Sequence, residues 1–295
     1  MPVLSIVLCR MLEDEVAHLL SADRQVREIL LVDGIESMSL SAKLKALGRP
    51  HIMLSMPGIA EHIAEQQKDR SRPPGGLFSR CLRRLLRPRS PGCASDLTVV
   101  ASPLRVGLHT NLERLKHAVY DDIGRLSAFS DGILIFYGKC GNSLSDLEKD
   151  FAGLSCPLYF LADEGGDRID DCIAAALGGN EVYARTLAEH QDVALFLTPM
   201  WAANWKAMDR EEATSGSRRE LAAMLKGTGM TRVARIDTGL GLEKGFDENV
   251  EAFAGQFGLE TISLTGTTAV AEKSYQQAKR KVKEGTMACI PQLEI

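Results

Sequence analysis

Apolar runs too short for helices alternate along this chain with stretches of helical spacing. Residues 3–9 form a continuous apolar run bounded by Pro2, which reads as a buried strand. The spacing then predicts a helix over 12–20, a strand over 29–32 ending in Asp33-Gly34, and a helix over 39–47 stopped by Gly48 and Pro50. Further strands are predicted at 52–54, 97–101, 132–137, 158–161, 193–197, 231–236 and 261–264. Helices are predicted at 59–67, 111–129, 144–151, 171–177, 181–190, 202–208, 218–225, 249–257 and 269–283. Strands alternating with helices make parallel sheets with helices on both faces. The expected fold is therefore α/β, with one or more parallel Rossmann-like sheets in a single unit over 1–295 that can divide into two lobes.

One stretch breaks the alternation. Pro73, Pro74, Gly75, Gly76, Pro88, Pro91 and Gly92 punctuate it, and between Lys68 and Arg89 eight basic residues stand against one acid, a local net of +7. Segment 68–93 reads as an Arg/Pro-rich insert outside the sheet. It is either a surface helical excursion or a docking patch for an acidic partner or anionic membrane surface. The whole chain carries −4, so the basic block is local and a nucleic-acid protein is not implied.

Composition narrows the class further. Apolar residues make up 45% and charged residues 25%, which excludes a largely disordered chain, a collagen and a coiled coil. No apolar run approaches the roughly 20 residues of a membrane span. The first apolar run leads straight into Glu13, Asp14 and Glu15, which argues against a signal peptide. Seven cysteines, an odd number without framework spacing, suit a cytoplasmic protein. There they would be core residues, metal ligands or nucleophiles rather than disulfides.

Ligands on parallel sheets sit at the carboxyl ends of strands. The residues just past the predicted strands are Cys9, Asp33, Leu108 and His109, Cys140, Asp163 and Glu164, Thr198, Asp237 and Thr265. The strongest local motif is Phe136-Tyr137-Gly138-Lys139-Cys140-Gly141-Asn142-Ser143. Gly138 and Gly141 permit a tight turn and close backbone approach around Cys140. Asn142 or Ser143 is expected to cap the next helix, whose N-terminus would lower the thiol's pKa. Cys172 opens a predicted helix and Cys9 closes the first strand. If the three converge, they form a soft site for zinc or an iron–sulfur cluster with one coordination position open. The plainer alternative is three unrelated buried cysteines. His109 would be a fourth ligand or a catalytic base, or else a satisfied polar side chain. Cys156 reads as structural, and Cys81, Cys93 and Cys289 as peripheral.

Other segments carry weaker signals. Asp163-Glu164-Gly165-Gly166 and Asp170-Asp171 make an acidic, glycine-rich loop, either solvated or an outer shell to a metal. Trp201 and Trp205, four apart with Asn204 beside them, share a helix face. They could stack on a flat ligand or pack an interface between domains. Asp237 begins the turn Asp237-Thr238-Gly239-Leu240-Gly241, which lacks the full dinucleotide fingerprint. No Walker loop, HExxH or GxSxG motif is present.

Several of these segments together are specific. They are Met11-Leu12-Glu13-Asp14-Glu15, Gly107-Leu108-His109-Thr110, Ser130-Asp131-Gly132-Ile133-Leu134 with Phe136-Tyr137-Gly138, Cys140-Gly141-Asn142, Asp171-Cys172-Ile173, Leu197-Thr198-Pro199-Met200-Trp201, Asn204-Trp205 and Ile236-Asp237-Thr238-Gly239. With them the chain, from Pro2 to its last predicted helix, resembles the family called domain of unknown function 1638. The Arg-rich insert is not part of that pattern. The resemblance implies members in methanogens and in bacteria that handle methylated amines, encoded near corrinoid methyltransferase systems. It carries no established activity. Corrinoid methyl transfer commonly uses zinc thiolates, reductive activation and accessory proteins. The expectation is thus a metal-binding enzyme or accessory protein in corrinoid-dependent one-carbon or methylamine metabolism. The alternative is a non-catalytic docking protein for a corrinoid protein or methyltransferase. In that case the cysteines are structural, and Trp201, Trp205 and the insert form the contact.

Overall fold

The apolar runs pair side by side, as strands covered on both faces must. The computed structural model describes residues 1–71, 96–212, 223, 225 and 227–288. Six strands form one sheet: β1 (Val3–Leu8), β2 (Val26–Val32), β3 (Ile52–Leu54), β4 (Leu97–Pro103), β5 (Gly132–Phe136) and β6 (Leu158–Phe160). Their order is β3-β2-β4-β1-β5-β6. A second sheet takes β7 (Val193–Leu197), β8 (Arg232–Asp237) and β9 (Glu260–Thr265), in that order. Every pairing between these strands is parallel. The α/β architecture read from the sequence is the one observed, with its strands divided between two sheets.

The helices fall between the strands. They are α1 (Glu13–Ala22), α2 (Met38–Ala46), α3 (Met56–Ser71), α4 (Leu112–Leu126), α5 (Leu147–Asp150), α6 (Cys172–Leu177), α7 (Asn180–Glu189), α8 (Pro199–Glu212), α9 (Phe246–Phe257) and α10 (Ala269–Ala288). Among the described residues no helix is long and apolar enough to cross a membrane. The insert from 72 onward, Cys81, Cys93 and Cys289, and nearly all of the helix expected at 218–225 lie outside the described residues.

The winding of the larger sheet places its centre. From β1 the chain runs outward to β2 and β3, returns inward to β4, then crosses to the far side for β5 and β6. The connections leaving the neighbours β1 and β5 therefore diverge, and the crevice beyond their carboxyl ends is where such sheets bind ligands. All six residues of β1 are buried. Its one polar member, Ser5, is satisfied by Ser130, with 2.6 Å between the hydroxyls. In β4, Ser102 Oγ donates to Asp122 Oδ2 at 2.5 Å. The chain's last helix ties back to its first: Lys279 Nζ and Tyr275 Oη both donate to Asp23 Oδ2, at 2.6 and 2.9 Å. α10 thereby closes over the larger sheet, packing on β1 and β5.

Candidate functional site

The turn after β5 is built around Gly138. A Cβ there would stand 2.6 Å from both Cα and N of Asp171 and 2.7 Å from the carbonyl carbon of Asp170. Only glycine lets these two segments of backbone touch. Because they touch, Lys139 N donates to Ile169 O at 2.9 Å and Cys140 N to Asp170 O at 2.8 Å. The contact seats the Cys140 turn against the start of α6.

The backbone then stays left-handed for three residues, with φ of 47° at Cys140, 63° at Gly141 and 69° at Asn142. Cys140 and Asn142 are the non-glycine residues with positive φ among those described. Such a conformation persists only where the surroundings enforce it, and it concentrates at functional sites. Backbone bonds close the turn here, Leu144 N donating to Lys139 O at 3.1 Å and Ser145 N to Asn142 O at 3.2 Å, and Arg168 holds its far end. Its guanidinium lies 4.0 Å over the Phe160 ring and donates to Leu144 O at 3.0 Å and Ser145 O at 3.2 Å.

This geometry corrects one expectation. Asn142 and Ser143 do not cap a helix, because residues 140–146 are turn and α5 begins only at Leu147. Cys140 therefore has no helix N-terminus to favour its thiolate. Burial first, then the charge of Asp171, push its thiol up to about 12.

The other two cysteines arrive at the same edge. Cys9 N donates to Phe136 O at 3.1 Å, extending the β1–β5 ladder by one bond. Cys172 opens α6, whose first amides are capped by Asp171: Oδ1 accepts from Ile173 N and Ala174 N at 2.9 and 2.8 Å. All three thiols are buried and none is in a disulfide. Burial raises each, and each feels a neighbour. Cys172 and Cys140 push Cys9 higher, and Asp171 and then Cys140 do so for Cys172. The Tyr137 hydroxyl is raised by burial and then by all three cysteines together with Asp122, so it too lies within electrostatic reach of the trio. Trp201 Nε1, from α8, donates to Cys172 Sγ at 3.1 Å.

The donor set of three thiols is soft, as zinc and iron–sulfur clusters require. As the side chains stand, no group of three or more His, Cys, Asp or Glu among the described residues is placed to hold a metal. Backbone fixes the three Cα positions, and each sulfur keeps only its rotation about χ1.

Beside the thiols lies a charge cluster that the sequence reading missed as a site. Glu13, Asp14 and Glu15 at the start of α1 are all buried. Lys43 of α2 reaches among them, 3.0 Å from Glu13 Oε1 and 2.6 Å from Asp14 Oδ1. It also meets Glu243 Oε2 at 3.1 Å and Met200 Sδ at 2.8 Å, so one ammonium joins the edges of both sheets. Burial works against that charge, but Glu13 and Asp14 outweigh it and hold the Lys43 proton more tightly than usual. Glu15 Oε2 and Asp14 Oδ2 meet no hydrogen-bond donor among the described residues. Burial, reinforced by Asp14, pushes Glu15 up to about 7. The available signal was three consecutive acids beginning four residues after a strand-end cysteine.

The remaining predicted residues are more dispersed. Trp205 is buried, with its ring edge-on to Phe253 at 5.3 Å. Asn204 Nδ2 donates to Met200 O at 2.8 Å within α8. Asp237 organises its own turn, accepting from Gly239 N at 2.8 Å and pairing with Arg235 at 3.2 Å. His109 falls in the short 3-10 segment Val106–Thr110 after β4, at the same edge as Cys140; its side chain lies outside the described residues. In the acidic loop, Asp163 Oδ1 accepts from Asp167 N, and Lys273 binds the carbonyls of Asp163 and Glu164. Cys156 is buried, its thiol pushed up to about 12 by burial and Asp131.

The molecule is thus a two-sheet parallel α/β protein with three buried thiols along the carboxyl edge of its larger sheet. A family model described as a protein of unknown function (DUF1638) matches residues 103–275, more than half of the chain, and the chain belongs to that family. The matched span contains Cys140, Cys172 and Trp201 and leaves out Cys9 and Glu13 to Glu15. Among curated proteins and among solved structures, nothing matches the chain.

Proposed function

We propose that this protein is a metal-binding enzyme or accessory protein whose ligands are Cys9, Cys140 and Cys172. The observation that carries this reading is that three buried thiols, free of disulfides, come from three separate elements to one edge of the sheet. Cys172 and Cys140 both act on Cys9, and Cys140 acts on Cys172. Three buried thiols give up their protons only against a positive charge, and a thiophilic cation supplies one. Zinc would act there as a Lewis acid with a position open for a further ligand, and an iron–sulfur cluster would carry electrons.

The chain's own residues would do the rest. Gly138 and Arg168 hold the Cys140 turn against α6, Asp171 fixes the first turn under Cys172, and Trp201 bonds the Cys172 sulfur. Either metal chemistry suits the corrinoid-dependent one-carbon setting that the family resemblance implies, with a corrinoid protein or methyltransferase as partner.

The test is elemental analysis of protein purified without oxygen, followed by Zn2+ and Co2+ titration. Stoichiometric zinc or iron is expected, with loss of uptake in Cys9→Ser, Cys140→Ser and Cys172→Ser but not in Cys156→Ser. Protein that carries no metal and takes none up would end this reading.

A further inference from the structure

We propose that the two sheets close on one another about a glycine hinge, with Lys43 as the latch that keeps Cys9 and Cys172 covered. The proposal concerns how these thiols are reached, and it stands without a metal.

The carboxyl edges of the two sheets face each other. Past β7 and β8, Met200 and Glu243 meet Lys43 of α2. Past β9, Thr267 N donates to Ala176 O of α6 at 2.7 Å. Parallel sheets bind ligands at their carboxyl ends, so a ligand's way in is this seam, and in the structure it is shut. α8 packs on the 3-10 turn Arg10–Leu12, which follows Cys9, and on Val106–Thr110, which follows β4. It also bonds the Cys172 sulfur through Trp201. Cys9 and Cys172 are left 2% and 5% exposed. A molecule that binds or reacts with either sulfur therefore needs α8 to lift.

The chain supplies a place for that motion. It passes between the sheets twice, through α6 and α7 into β7 and from β9 into α10, and the two passages touch. Ala176 O accepts from Thr267 N, and a Cβ at Gly266 would stand 2.9 Å from the same oxygen. Gly178 and Gly179 follow at φ of 99° and 144°, a backbone that only glycine adopts freely. Hinges are a few residues at the ends of elements that absorb backbone rotation, and Gly178-Gly179 lies between α6 and α7.

The latch is an ion pair. Lys43 belongs to the larger sheet's side, held there by Glu13 and Asp14. Its contacts with Glu243 Oε2 at 3.1 Å and Met200 Sδ at 2.8 Å are the ones that opening breaks. Glu243 already keeps 22% of its side chain in solvent, so on release it returns to water while Lys43 keeps two carboxylates. That makes the contact reversible.

Glu243→Ala cuts the latch and leaves Lys43 with Glu13 and Asp14. The probe is iodoacetamide, with chelator present throughout, and labelling is read peptide by peptide by mass spectrometry. Cys156 is the internal reference, because it is also buried but precedes β6, at the opposite edge of the larger sheet. Local opening should make Cys9 and Cys172 label about five to ten times faster than in the native protein, with Cys156 unchanged. Unchanged rates at Cys9 and Cys172 would overturn the latch. So would an equal gain at Cys156, which marks unfolding of the whole chain, or a gain at only one of the two thiols, since α8 covers both. Met200→Leu keeps the volume and removes the sulfur contact; it should give a smaller gain at the same two thiols, and it decides if Glu243→Ala does not fold. The metal reading is tested by titration and this one by labelling, so either can fail alone.

Discussion

Two ionisable clusters are buried side by side at the carboxyl edge of the larger sheet, and they are balanced in opposite ways. The carboxylates of Glu13 and Asp14 are met by a cation: Lys43 stands within 3.0 Å of both, with Glu243 beside it. The thiols of Cys9, Cys140 and Cys172 are met mainly by one indole N–H and by backbone, and all three are raised. A carboxylate loses its proton at an ordinary pH, so burying one demands a partner charge. A thiol costs little to bury as long as it stays protonated. The acid cluster therefore has its counter-charge within this chain, though Asp14 Oδ2 and Glu15 Oε2 meet no donor among the described residues, while the thiols stay neutral until something displaces their protons.

The largest expected effect tests that counter-charge. Lys43→Met removes the ammonium and leaves Glu13, Asp14 and Glu243 facing one another in a buried place. Breaking such a network by removing one partner costs about 3–5 kcal/mol, to be read from urea unfolding at neutral pH. A loss below about 1 kcal/mol, the scale of an exposed pair, would show that Lys43 is not the counter-charge of that cluster.

Next in size is a test of the thiol side, where the constraint is steric rather than electrostatic. Gly138→Ala drives a methyl group into the Asp170–Asp171 backbone. Overpacking of that kind costs about 1–3 kcal/mol, and the Cys140 turn should lift away from α6. Lower stability together with faster alkylation of Cys140 is the expected result. Unchanged stability would mean that the close approach of the two segments does not hold the site.

Much of this was legible in the sequence, for identifiable reasons. The central strands β1, β4 and β5 announced themselves most clearly as short apolar runs, because a strand buried along its whole length has no polar side to disguise it. The placing of Cys9, Cys140 and Cys172 along one edge of the sheet followed from strand ends and a helix start in a parallel sheet. The left-handed run at Cys140 did not show, since Asn142 and Ser143 are equally good as helix caps; the long-range contact of the turn with Asp170 and Asp171 is not written in its local sequence. The burial of Glu13 to Glu15 was hidden for a different reason. Consecutive acids ordinarily mark solvent, and the burial of these depends on Lys43, distant in sequence. Trp201 and Trp205 look equivalent at a spacing of four, yet one bonds a sulfur and the other packs in the core.

The smallest effect concerns Glu15, which links the two clusters: it feels Asp14 and Lys43 on one side and adds to the rise of Cys9 on the other. Its carboxyl sits at about 7, against an ordinary value of 4.5. Between those two values the folded protein keeps a proton that the unfolded chain has released, so stability falls as pH rises through that window. Gln has no such proton to lose. Glu15→Gln should therefore gain on the native protein as pH goes from 5 to 8, by on the order of 1–2 kcal/mol, in unfolding curves taken across that range. The gain should appear without any metal, because it arises from burial on the acid side. Parallel curves for the two proteins would place Glu15 with the compensated carboxylates, and the boundary between the clusters would then lie between Glu15 and Cys9.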